Sequence, residues 1–347
     1  MLEIRVGKRN YNSEAEGEIA PVDFTSVSEA ILAVPYEEKA VIYIESGIYH
    51  EKIFSDKKDI TFVGEGIGKT VIEYSDCAND ICEDGSKRGT FRSYTAFFAG
   101  EKVTVKNLSI RNNSGDGSLA GQALAVYADA KKCYFENVEL FGHQDTLFMS
   151  PLPVSERQKN GFMGPRVMTE RKLTSQYYKN CIITGDVDFI FGGADAVFDN
   201  CTIICNNRKA VTEKETDDRF INGYIAAGCG LKSDTGMIFR NCTVKGEEGC
   251  DKNSVFLGRP WRDEAKAVFL NCIMDDTIAT ERFSGWGAVD KKHPDTFYGE
   301  YGTISADGEE IELSGKNSFV KDIDENMAKN INHEADLIVE KATGIIR

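Results

Sequence analysis

The chain has 347 residues, enough for two or three ordinary domains or one long repetitive one. Hydrophobic residues make up 41% and charged residues 28%, the balance of a water-soluble globular protein. The net charge of −15 argues against nucleic acid or an anionic membrane as a partner, and no stretch approaches the roughly 18 unbroken apolar residues of a membrane span.

The start, Met1-Leu2-Glu3-Ile4-Arg5-Val6, has no basic stretch leading into an apolar core, so no signal peptide is read. A cytoplasmic protein is expected, with secretion of a form trimmed of its signal as the alternative. Ser26 and Glu29 have capping-box spacing. Val27, Ala30, Ile31 and Val34 follow at helical spacing and Pro35 stops the run, which predicts a helix near 26–34.

From residue 107 a short pattern recurs: Asn, then an apolar residue or Cys, any residue, then an aliphatic. It begins at Asn107, Asn137, Asn180, Asn200, Asn241 and Asn271, at intervals of 30, 43, 20, 41 and 30 residues. The shortest interval is the size of one solenoid coil, and the longer ones are two coils or one coil with a loop. Each Asn is expected to turn the chain, and the Cys or aliphatic after it to form an inward ladder. With Gly abundant at 32 and Pro scarce at 7, the expected fold is all-β: a right-handed parallel β-helix. The 26–34 helix would cover its first coil. Loops are expected at 76–92, 150–175 and 206–220, and a helix at 322–343 with Ile323, Met327 and Ile331 on one face. One domain, 1–347, is expected, its tail from about 317 packing outside or on the end of the solenoid.

Cys201 and Cys205 are four apart, but no second pair or His cluster follows, and His50, His143, His293 and His333 are scattered. No metal or cofactor is expected on that spacing, and the ten cysteines read as buried thiols rather than disulfides. A monomer is expected.

Two acids stand in unusual company: Asp145 in His143-Gln144-Asp145-Thr146-Leu147, and Asp188 in Asp188-Phe189-Ile190-Phe191-Gly192. Gln144 is 22 residues after Gln122, one coil on, and Asp188 is 43 after Asp145, one coil if 150–175 loops out. Two Gln and two Asp then line up in consecutive coils. Amide N–H groups can stabilise an oxyanion. Neighbouring carboxylates split their proton affinities, so one can be an acid while the other attacks a carbonyl carbon. Arg259, in Leu257-Gly258-Arg259-Pro260-Trp261, can hold a carboxylate in bidentate fashion, and Trp261 offers a flat wall for a sugar. His143 reads as a flanking wall, and Tyr49 and Glu51 read as structural.

These stretches, with Gly47-Ile48-Tyr49-His50-Glu51 and Gln122-Ala123-Leu124-Ala125, resemble pectin methylesterases, β-helical carbohydrate esterases, from about residue 20 to about 300. The resemblance implies hydrolysis of galacturonate methyl esters in pectin or methylated oligogalacturonides. It implies Asp188 as nucleophile, Asp145 as acid then base, Gln122 and Gln144 in the anion hole, and Arg259 orienting Asp188. Phe191, Trp261 and Phe148 would contact sugars. The sequence departs from the family's pattern at Phe148, where Tyr is common, and at Val289, three residues after Trp286, where many members carry a second Trp. Two other readings are another β-helical pectin enzyme, a polygalacturonase or lyase, and a non-catalytic carbohydrate binder. The net negative charge would disfavour lingering on a polyanionic product.

Overall fold

In the computed structural model, residues 1–8, 22–208, 219–287, 293–309, 311 and 317–345 are described. The chain winds into a right-handed parallel β-helix, every strand pairing with its counterpart one coil away.

Three parallel ladders run along the solenoid. The first carries strands such as Ser175–Lys179, Asp195–Asp199, Met237–Arg240 and Lys266–Leu270. The second carries Ile182–Gly185, Thr202–Cys205, Thr243–Gly246 and Ile273–Met274. The third runs from Ile53–Ser55 through Ala96–Phe98, Val126–Ala128, Leu147–Met149, Val187–Gly192 and Gly223–Gly228 to Val255–Gly258. Two long strands, Lys102–Asn112 and Lys132–Phe141, bend through both of the first two ladders.

The repeating asparagines make that bend. Asn107, Asn137, Asn180, Asn200, Asn241 and Asn271 all lie in the left-handed region, with φ between 51° and 56°. Asn tolerates this conformation because its short amide can bond locally. The side chains also link coil to coil: Asn137 Nδ2 donates to Asn107 Oδ1 at 3.1 Å, and Asn180 Nδ2 to Asn137 Oδ1 at 3.3 Å. Each following residue then points inward. Leu108, Val138, Cys181, Cys201, Cys242 and Cys272 are all buried. The thiols donate to carbonyls of the preceding coil, as from Cys201 Sγ to Tyr178 O at 3.4 Å, and all ten cysteines are free.

An aromatic ladder lies beside them: Phe135, Tyr178, Phe198, Phe239 and Phe269, with successive ring centroids 4.9, 4.7, 4.5 and 4.3 Å apart. The strand spacing of about 4.8 Å sets this stacking distance. Each pair contributes about 0.5–1.5 kcal/mol beyond its area burial.

The first helix, α1 (Val27–Ala33), packs on the first coils. Ser26 accepts from Glu29 N, as its spacing predicts. The stronger cap is Glu51, just after the strand Gly47–His50, which accepts from the Ser26 hydroxyl and from the backbone of Val27 and Ser28 at 2.8–2.9 Å. A short turn, α2 (Gly117–Ala120), leads into Gln122.

The last helix, α3 (Glu325–Thr343), lies outside the first ladder, against strands that include Ser175–Lys179 and Asp195–Asp199. Ala335, Ile338, Val339 and Ala342 cover Tyr177, Val197, Ile238 and Val268. Arg240 pins it, reaching Asp336 at 2.8 Å and Asp199 at 3.2 Å. No strand lies between Met149 and Ser175, so 150–175 does loop out. The 76–92 stretch is loop apart from a bridge at Ile81 and a short turn at Thr90–Arg92. Most of the expected 206–220 loop lies outside the described residues.

Candidate active site

The coil register brings the expected residues together. Ala123 N donates to Gln144 O at 3.0 Å, and Asp145 N to Val187 O at 3.0 Å, so Gln122, Gln144-Asp145 and Asp188 sit on three successive coils. Asp145 and Asp188 both adopt left-handed φ values, 67° and 52°. Each interrupts the extended backbone at the edge of the third ladder. Gly192, just beyond Asp188, has φ 135°, and a Cβ there would stand 2.0 Å from Met149 O. Only Gly lets the Asp188 strand approach its neighbour so closely.

Gln122, Gln144, Asp145, Asp188, Arg259, Phe191 and Trp261 line one cavity of about 330 Å³. Arg259 holds Asp188 in a two-point grip: Nε to Oδ1 at 2.8 Å and Nη2 to Oδ2 at 2.7 Å. The guanidinium also packs on the rings of Tyr224 at 3.9 Å and Trp286 at 4.3 Å. Asp145 and Asp188 are buried, at 8% and 5% exposure.

Burial pushes the Asp145 carboxyl well above the usual carboxylate range, and the Asp188 charge pushes it further, against the pull of Arg259. Burial also raises Asp188, but there the hydrogen bonds and charge of Arg259 oppose it directly. The two acids are therefore unequal: burial raises both, Asp145 the further, and Arg259 opposes the rise directly only at Asp188. A third acid, Asp186, is fully buried two residues before Asp188 and adds to both shifts.

Two expectations need correcting. Phe148 does not reach the cavity; it is fully buried beneath it, 4.9 Å from both Phe91 and Phe191. In its strand Leu147–Met149 all three residues are buried, so alternation does not expose it. It packs under Phe91 and Phe191 instead of opening onto the cavity. His143 does not wall the cavity either: its Nδ1 turns to Asp186 Oδ2 at 3.2 Å. Val289 lies outside the described residues.

Sequence reasoning missed several lining residues. Arg157, Gln158 and Phe162 come from the 150–175 loop, Phe91 from the Thr90–Arg92 turn, and Arg262 from beside Trp261. Arg157 packs over Trp286 at 4.9 Å and donates to Trp261 O. No spacing signal marks these loop residues. The Asp186-x-Asp188 pair was visible, but its first member carried no partner in sequence.

A sequence model described as Pectinesterase matches residues 17–159 and 170–330. This chain belongs to the pectinesterase family. It is 31% identical over 291 residues to the probable pectinesterase/pectinesterase inhibitor 64 of Arabidopsis thaliana, covering 80% of this chain and 43% of that one. The chain thus spans less than half of that relative's length. Among solved structures it resembles the pectin methylesterase from Yersinia enterocolitica, with TM-score 0.68 and 26% identity over 88% of this chain and 96% of that one. A pectin methylesterase in complex with a hexasaccharide shares the fold at TM-score 0.73 and 23% identity, covering 100% of this chain and 98% of the other. Within this pectinesterase fold, the two buried acids and the arginine clamp occupy the third ladder's edge.

Proposed function

We propose that this chain hydrolyses methyl esters of galacturonate residues in pectin or methylated oligogalacturonides. The observation that carries this reading is the Asp188–Arg259 clamp inside a cavity that also holds Asp145, Gln122 and Gln144. The hexasaccharide complex of a protein with the same fold, and family membership, support it.

Asp188 attacks the ester carbonyl carbon, and Gln122 and Gln144 donate N–H groups to the developing oxyanion. As the bond to the methoxy oxygen breaks, Asp145 gives that oxygen its proton and methanol leaves. The galacturonyl group is now an anhydride on Asp188. Asp145, now a carboxylate, takes a proton from water as the water oxygen attacks the anhydride carbon. The free galacturonate departs and Asp188 is again a carboxylate. Phe191, Trp261 and Trp286 form the apolar wall against which sugar rings pack.

The test is methanol release from methylated pectin by the wild type and by Asp188→Ala. The expected outcome is release by the wild type and loss of at least about 10³-fold in the variant. Full activity in Asp188→Ala would sink the mechanism. Shortening of de-esterified polygalacturonate, with no methanol, would point to a chain-cleaving enzyme.

A further inference from the structure

Behind the cavity wall, three side chains that the ester chemistry does not use converge. Asp116, His143 and Asp186 each place one donor atom within 4.8 Å of the other two. None of the three lines the cavity. We propose that they hold one divalent transition-metal ion, of the class that accepts mixed imidazole and carboxylate ligands.

The carboxylates are pre-set for this. Asp116 Oδ1 accepts from Ser118 N at 2.7 Å, and Asp186 Oδ1 from Val187 N at 2.7 Å. One oxygen of each acid is thus anchored by backbone, as ligating carboxylates commonly are. The other oxygens have little to do. Among the described residues, Asp186 Oδ2 meets only the His143 ring, at 3.2 Å. Asp116 Oδ2 is sealed from solvent with no hydrogen-bond partner among the described residues, in a residue only 7% exposed. A buried carboxylate oxygen without a partner is costly, and a bound cation removes that cost.

The distances and donors suit a small ion. Two ligands bonded at about 2.0–2.2 Å to one tetrahedral or octahedral centre lie roughly 3–3.5 Å apart. The His143–Asp186 pair already has that separation, 3.2 Å. Asp116 closes to it by a shift of about 1–2 Å, within the freedom of a side-chain rotation. One nitrogen and two oxygens favour Zn²⁺, Mn²⁺, Co²⁺ or Ni²⁺ over Mg²⁺, which prefers oxygen alone and keeps its waters. Water completes the coordination. The remaining polar neighbour, Asn206 Nδ2, lies 3.5 Å from His143 Nδ1 and is held by Gly142 O at 2.9 Å.

The location gives the ion a job distinct from the reaction. His143 immediately precedes Gln144-Asp145, Asp186 is two residues before Asp188, and Asp116 caps the α2 turn that leads to Gln122. The ion would staple the three coils that carry the acids and glutamines. It would not touch substrate. Ligand intervals of 27 and 43 residues hide such a site from any sequence-spacing rule.

The experiment strips the full chain with a chelator, removes the chelator, and titrates Zn²⁺ calorimetrically, with Mg²⁺ as control. Thermal melting is followed in parallel. One equivalent of Zn²⁺ is expected, with a Tm that climbs by several degrees as Zn²⁺ rises and does not move with Mg²⁺. Asp116→Asn and His143→Gln should each weaken Zn²⁺ binding at least tenfold. Co²⁺ added to the wild type should give visible ligand-field bands that one equivalent of Zn²⁺ erases, a readout that stands even if a variant fails to fold. Absence of stoichiometric Zn²⁺ binding and of Co²⁺ bands in the wild type overturns the proposal. So does binding that both folded variants retain in full, which would assign the ion to another surface.

Discussion

Replacing Arg259 by Ala isolates the feature on which the proposed chemistry turns. Its guanidinium makes two charge-assisted bonds to Asp188, at 2.8 and 2.7 Å, and Asp188 is 5% exposed. Removing one partner of such a buried pair costs about 3–5 kcal/mol, because the remaining charge is left without compensation. Asp188 escapes part of that cost by taking up a proton, and a protonated carboxyl is a poor nucleophile. At about 1.4 kcal/mol per tenfold, kcat should fall by roughly 10²–10³. The Ala variant also withdraws the cation that packs on Trp286 at 4.3 Å, so KM should rise as well. Arg259→Lys keeps the charge but loses the planar two-point grip, and should fall between the two, about ten- to a hundredfold below wild type. The assay is initial-rate methanol release over a range of methylated oligogalacturonide concentrations, with kcat and KM fitted separately. Near-wild-type kcat in Arg259→Ala, or a Lys variant no better than Ala, would refute the reasoning.

Two further predictions concern the scaffold. Phe239 sits mid-ladder, 4.5 Å from Phe198 and 4.3 Å from Phe269, and is fully buried. Phe239→Ala should lower unfolding stability by about 3–5 kcal/mol in urea titrations, and an effect under about 1 kcal/mol would contradict a close-packed ladder. Glu136 bridges coils by accepting from Lys106 at 2.8 Å and Lys179 at 2.9 Å. Burial alone would raise its carboxyl, but the hydrogen bonds from Lys106, Lys179 and Tyr134 outweigh it and bring the pKa to about 2, from an ordinary 4.5. A depressed carboxylate stabilises the fold above its unfolded value and ceases to do so as pH falls through its folded value. Glu136→Gln should therefore be less stable than wild type at pH 7, by about 1–2 kcal/mol after discounting for solvent. The gap should close between pH 4.5 and about 2, and a gap independent of pH in that window would show that Glu136 acts by packing, not charge.

The solenoid was legible because its signal is local and repeated. An Asn that must adopt left-handed φ, followed by a residue that must point inward, leaves the same mark in every coil. Backbone pairing fixes the distance between coils, so residue intervals convert directly into spatial neighbours. That conversion brought Gln122, Gln144, Asp145 and Asp188 together once 150–175 was read as a loop. Arg259 was legible for a different reason: few residue types can hold a buried carboxylate at two points.

Tertiary structure alone decided the rest. Phe148 looked like a groove residue, yet Phe91 and Phe191 close over it. His143 sits beside the Gln-Asp pair in sequence but bonds to Asp186, 43 residues on. The last helix covers the flank of the first ladder because Tyr177, Val197 and Ile238 offer an apolar face there. Net charge misleads in the same way: the chain carries −15, but Arg157, Arg259 and Arg262 gather at one cavity. A coil's own backbone is fixed by short-range sterics and pairing, which the sequence states coil by coil. Exposure, side-chain partners and local field are sums over groups that different loops and coils bring to one place, and no interval in the sequence carries that sum.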